Sequence, residues 1–204
     1  MEQTVLGTAG LLIAGAITPG PNNFIVMREA ARAGWRGAVP AIAGIVLGSL
    51  ALLLLASAGL VAALAAEPRI GTAVGVAGCL YLAVLGARLA AARPRDGDDP
   101  AGEPPALPAG VWGLLTFQFL NPKAWLLVLT VTASAHSSLG PHRALPLLAG
   151  LFVVVPAACL GLWSWAGVAL TRWLRRPALR ARVDRAMGVL LVVSALLLLL
   201  DVWR

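Results

Sequence analysis

Apolar residues run through this chain in stretches long enough to cross a bilayer, and two of those stretches are interrupted by proline. Six can be drawn at roughly 20 residues each, the length a helix needs to span the hydrocarbon core. They run from Thr4 to Met27, Ala38 to Ala66, Ile70 to Ala92, Val111 to Ala135, Ala144 to Leu170 and Ala186 to Val202. Lipid offers no partner to a backbone amide, so such stretches stand in it as helices that satisfy their own hydrogen bonds. The expected fold class is therefore an all-α integral membrane protein.

Charge fits that class. Only 12% of the 204 residues are charged and 59% are hydrophobic, against about 25% charged in a soluble domain. The formal net charge of +7 resides on short loops, and no basic face interleaved with aromatics invites a nucleic acid. Basic excess marks the cytoplasmic side of a membrane. Arg28, Arg32 and Arg36 follow the first stretch, Arg88, Arg93 and Arg95 close the third, and Arg172, Arg175, Arg176, Arg180, Arg182 and Arg185 follow the fifth. The opposite loops hold only Arg69, Arg143 and Arg204. Both termini are expected outside, with the three basic loops in the cytoplasm. The segment Arg172 to Arg185 suits anionic lipid.

The proline breaks are Thr18-Pro19-Gly20-Pro21-Asn22-Asn23 and Leu120-Asn121-Pro122-Lys123-Ala124. Proline has no amide to donate, so the carbonyls of Gly15, Ile17 and Gln118 should lose their helical partners. At membrane depth, freed backbone is tolerated where it is buried in protein or lines a wet cavity, and such breaks mark the sites of many transporters.

Between residues 93 and 110 the chain turns rich in Pro, Asp and Glu, a composition that cannot bury a core. It is expected to be a cytoplasmic linker joining two units of three spans each, residues 1–92 and 111–204. Three spans per unit turn the second unit upside down relative to the first, the inverted-repeat arrangement of secondary transporters, with the first and fourth helices broken. Internal similarity supports it: Ala38-Val-Pro40-Ala-Ile-Ala43-Gly44 and Ala144-Leu-Pro146-Leu-Leu-Ala149-Gly150 each follow a proline-broken span. Proline at a helix start is common in its own right.

Lys123 is the one charge well inside a span, and no acid stands at a comparable depth. Such a residue costs about 2.5–3.5 kcal/mol at the bilayer centre and generally faces a cavity or a partner. An anionic group of a substrate or a free carbonyl such as that of Gln118 would answer its charge, or its stem snorkels to a leaflet; a neutral lysine that takes up a proton during a transport cycle is a further reading. Asn22, Asn23, Gln118 and Asn121 bring amides to the same depth, either as caps and interhelical bonds or as substrate contacts. The helix restarting after Pro21 offers free amides to a carboxylate, and the carbonyls released ahead of the prolines suit an ammonium. The candidate site for a small zwitterion is thus Pro19, Gly20, Pro21, Asn22, Asn23, Gln118, Asn121, Pro122 and Lys123.

Other features read more plainly. Gly44 and Gly48 have the spacing of close helix packing. Tyr81 either lines a cavity or packs, and His136 and His142 are expected on a solvated outer loop. Cys79 and Cys159 read as inert small residues. No catalytic, nucleotide-binding, metal or cofactor motif appears, so the chain is not expected to be an enzyme and transport would be secondary.

At Ile17 to Asn23, Gly44 to Gly48, Gly78 to Arg88 and Leu120 to Ala124 the sequence resembles the lysine exporter (LysE-type) superfamily, which includes the homoserine and threonine resistance exporters. The resemblance implies a bacterial inner-membrane exporter of amino acids or close derivatives, coupled to protons. A cationic side chain would find no carboxylate buried in the second span, which points to a neutral substrate. Two other readings stand beside it: an intramembrane thiol carrier using Cys79 and Cys159, and a structural membrane protein. Small-residue faces are also compatible with a homodimer.

Overall fold

The computed structural model describes residues 2–60, 67–91, 108–171 and 176–202. The described residues are helical, without strands: α1 (Glu2–Ile17), α2 (Pro21–Leu55) running on into one π-helical turn (Ala56–Leu60), α3 (Pro68–Ala90), α4 (Gly110–Leu120), α5 (Pro122–Leu139), α6 (Pro141–Ala169) and α7 (Pro177–Val202). Five of these begin on a proline, where the missing amide costs nothing and the fixed φ suits a helix. Most of the expected linker, and the basic residues Arg93, Arg95, Arg172, Arg175 and Arg204, lie outside the described residues.

Four helices are long and apolar enough to cross a membrane, and α4 with α5 makes a fifth candidate bent by 72°. Their outer faces carry large apolar side chains: Trp165 is 72% exposed, Leu196 54% and Leu200 60%. In water such faces would be patches seeking a partner. In lipid they are simply solvated.

The fold departs from expectation in the segment after the first span. Residues 28–36 were expected to form a basic loop, but α2 continues through them and is interrupted at Gly34 alone, at φ 73° and ψ 179°. Arg28 to Ala33 are mostly good helix formers, Arg32 pairs with Glu29 at 2.9 Å, and glycine adopts the positive φ without a Cβ penalty. Without that break, α2 and its π turn would be about 60 Å long at 1.5 Å per residue, twice a hydrocarbon core. An equivalent kink opens α6, where Gly140 has φ 73° and ψ 160°. Gly34 stands six residues before Pro40, and Gly140 six before Pro146.

Small residues set how closely the helices pack. α2 lies along α6 and α4, and α3 along α7. At Gly167 of α6 a Cβ would collide with the Met27 carbonyl, and at Gly188 of α7 with backbone of Ala90 and Gly86. Gly44 and Gly48 of α2 face α4, against the Val111 and Leu115 carbonyls, so their spacing does serve helix packing. Two apolar clusters result. One gathers Phe24, Ile45, Leu82, Phe117 and Leu191, and the other Leu12, Leu52, Val128, Leu148 and Phe152.

Candidate functional site

Both proline breaks open the helix. α1 ends at Ile17, three residues pass in extended or bent form, and α2 starts at Pro21. The second break is a single residue, Asn121, at φ −95° and ψ 101°. Its side chain caps α5 by accepting from the Lys123 amide at 3.2 Å.

The freed carbonyls find partners, though not all of those expected. Asn23 is buried and its Nδ2 donates to the carbonyls of Ala16 at 3.0 Å, Ile17 at 3.4 Å and Thr18 at 3.0 Å. The Trp163 indole also donates to Ile17, at 3.3 Å. Gln118 keeps a partner for its carbonyl, because the Asn121 amide closes a tighter turn onto it at 3.3 Å. Lys123 therefore caps neither Gln118 nor its own helix. Its Nζ crosses to the first break and donates to the Thr18 carbonyl at 2.7 Å. Gly20 leaves it room, since a Cβ there would lie 3.1 Å from Nζ. A second cross-link joins the breaks, Asn121 Nδ2 donating to Asn22 Oδ1 at 3.4 Å.

Between the breaks lies a hollow of about 50 Å3, room for a few waters at about 10–15 Å3 each. Gly20, Pro21, Asn22, Asn23, Gln118, Asn121 and Lys123 line it together with Ser49 and an apolar wall that includes Ile45, Leu127, Val128, Phe152 and Leu160. Pro19 and Pro122 are not in its lining. Pro19 is exposed, and Pro122 turns toward α3, where Gly78 leaves it space. These two prolines shape the breaks rather than the surface of the hollow.

Ser49 is the residue that sequence reasoning missed. It is buried, and its Oγ accepts from Gln118 Nε2 at 2.8 Å, while Gly48 leaves room for the Gln118 stem. A signal existed: Ser49 is the only polar side chain between residues 38 and 56. Gln118 itself is 1% exposed, and its Oε1 has no hydrogen-bond donor. Such an atom costs about 1–3 kcal/mol unless something donates to it.

Two other expectations resolve. Tyr81 lies outside the hollow and packs on Phe117, ring centroids 5.9 Å apart. His136 is not on a solvated loop: α5 extends through it, and its Nε2 is buried without a partner. Cys79 and Cys159 are buried free thiols, neither of them lining the hollow.

Apolar helices with lipid-like outer faces around a small polar hollow define a multi-pass helical membrane protein. The chain belongs to the LysE type translocator family, whose model matches residues 13–202. A leucine efflux protein of Klebsiella pneumoniae is 34% identical over 112 residues, which are 54% of this chain and 52% of that one. A cysteine/O-acetylserine efflux protein of the same species is 28% identical over 119 residues, 58% of each chain. One of Salmonella choleraesuis is 30% identical over 168 residues, 78% of this chain and 80% of that one. The chain thus spans little more than half the length of the two Klebsiella relatives. No solved structure matches it.

Proposed function

We propose that this protein exports neutral amino acids, or close derivatives, across a bacterial inner membrane by proton-driven alternating access, with the hollow between the two breaks as the substrate site. The observation that carries the reading is the bond from Lys123 Nζ to the Thr18 carbonyl, which brings the one mid-span charge to the spot where both helices are broken. A carboxylate entering the hollow meets the Lys123 ammonium and the first amides of α2, which no side chain caps. The apolar wall takes an uncharged side chain. Relatives named for efflux of leucine and of cysteine or O-acetylserine support a neutral substrate.

In this reading the chain has six spans in two inverted units, 1–92 and 111–204, joined by a cytoplasmic linker at 93–110, with both termini outside. The paired kinks support it, since Gly34 and Gly140 share a positive φ at the same distance from Pro40 and Pro146. So does the close packing of α2 on α6, the helices that carry Pro40 and Pro146. At its present volume the hollow admits water but no amino acid. Loading therefore separates Lys123 from Thr18, and Lys123 is the group positioned to exchange a proton as that bond opens.

The test is export from cells. Cells overexpressing the protein and fed leucine- or cysteine-containing dipeptides should release the amino acid faster than control cells. Unchanged release of every neutral amino acid would refute the proposal.

A further inference from the structure

The backbone carbonyls freed at the first break are the obvious seat for a substrate ammonium, and they are largely taken. Ala16, Ile17 and Thr18 already receive Asn23 Nδ2, Trp163 Nε1 or Lys123 Nζ. Gln118, which lines the hollow, has a buried side-chain carbonyl without a donor. Gly15, whose carbonyl has no amide four residues on because Pro19 stands there, is part of the same wall.

We infer that Gln118 Oε1, oriented by Ser49, is the ammonium subsite, so that the protein selects ligands bearing a free amino group. This rests on the hollow being an amino-acid site and deepens that reading. Ser49 is a positioning residue: its Oγ holds Gln118 Nε2 at 2.8 Å, which fixes the amide and leaves its other end, Oε1, buried without a donor on a residue that lines the hollow. A zwitterion then lies across the breaks with its carboxylate toward Lys123 and the α2 amides, its ammonium toward Gln118, and its side chain against Phe152 and Leu160. An α-hydroxy acid of the same shape satisfies the first and last contacts and forfeits the charge-assisted middle one. That contact corresponds to about a tenfold or larger difference in affinity.

The experiment compares binding of L-leucine and L-cysteine with 2-hydroxy-4-methylpentanoate and 3-mercaptolactate, by competition on the purified protein in lipid nanodiscs. Wild type should prefer each amino acid to its hydroxy analogue by about tenfold or more. Gln118→Leu should lose most of that preference, amino-acid affinity falling much further than hydroxy-acid affinity, and Gln118→Glu should restore it. Ser49→Ala should reduce the preference without abolishing it. If Gln118→Leu does not fold, Gln118→Glu decides: a preference kept or raised supports the assignment and a collapsed one overturns it. A preference that survives Gln118→Leu overturns it too, and equal losses for both ligands would mean that Nε2 faces the carboxylate they share. Wild type binding no amino acid at all would instead remove the underlying transport reading, and the subsite with it.

Discussion

Lys123 Nζ lies 2.7 Å from the carbonyl oxygen of Thr18, a residue 105 positions earlier in the chain. The bond joins the end of one broken helix to the start of another. It places a positive charge against the negative pole of α1, where free carbonyls concentrate partial charge. An ammonium in this position needs no acidic residue nearby, because backbone oxygens supply the counter-dipole.

Asn23 holds three carbonyls at that same pole, so its loss should be felt in stability before transport. Asn23→Ala removes the shared donor from a buried site and is expected to cost about 2–3 kcal/mol. Asn23→Asp, which replaces the donor with an acceptor facing those carbonyls, should cost at least as much. Thermal unfolding of the purified protein in detergent measures both, and midpoints equal to wild type would show that Asn23 caps nothing.

Close packing of α2 on α6 turns on Gly167. Gly167→Ala drives a methyl onto the Met27 backbone carbonyl and should destabilise by about 1–3 kcal/mol. On the same helix a Cβ at Gly161 meets nothing within 4 Å, so Gly161→Ala should be neutral or stabilise by up to about 1 kcal/mol. The same unfolding measurement separates the pair.

Thiol chemistry is a clean alternative to test. The double variant Cys79→Ala with Cys159→Ala removes both buried thiols while leaving the hollow untouched. Amino-acid export from cells should stay within about twofold of wild type, since a small buried Cys packs much as Ala does. Loss of activity in a folded double variant would favour the redox carrier.

Much of the site was legible because proline has fixed consequences. Pro19, Pro21 and Pro122 had to open their helices, and the amides beside them had to be answered. Which group answers which was not legible, because that depends on tertiary register. Lys123 reaches Thr18 rather than Gln118, and Asn23, though it lines the hollow, folds its amide back onto the carbonyls of α1. Ser49 went unnoticed for the same reason, its importance arising only where Gly48 lets α4 come close. The expected loop at residues 28–36 proved helical because composition marks membrane side better than backbone path, and one glycine can turn a chain that otherwise continues as helix. His136 was misread in the same way, α5 running a turn beyond its apolar stretch.

Sidedness follows from the inverted-unit proposal and can be checked with the exposed positions Ala33 and Ser138. A cysteine at Ser138 should react with a membrane-impermeant maleimide in intact cells. One at Ala33 should react only after lysis, and the native thiols, both buried, should give little background. Labelling in the opposite sense would invert the topology.

The most direct measurement is uptake of radiolabelled leucine or cysteine into proteoliposomes under an imposed pH gradient, wild type against Lys123→Met. Wild type should show saturable, gradient-dependent uptake. The folded variant should retain about a tenth of it or less, from the loss of one charge-assisted contact. Undiminished uptake by Lys123→Met would contradict a transport site built where the two breaks meet.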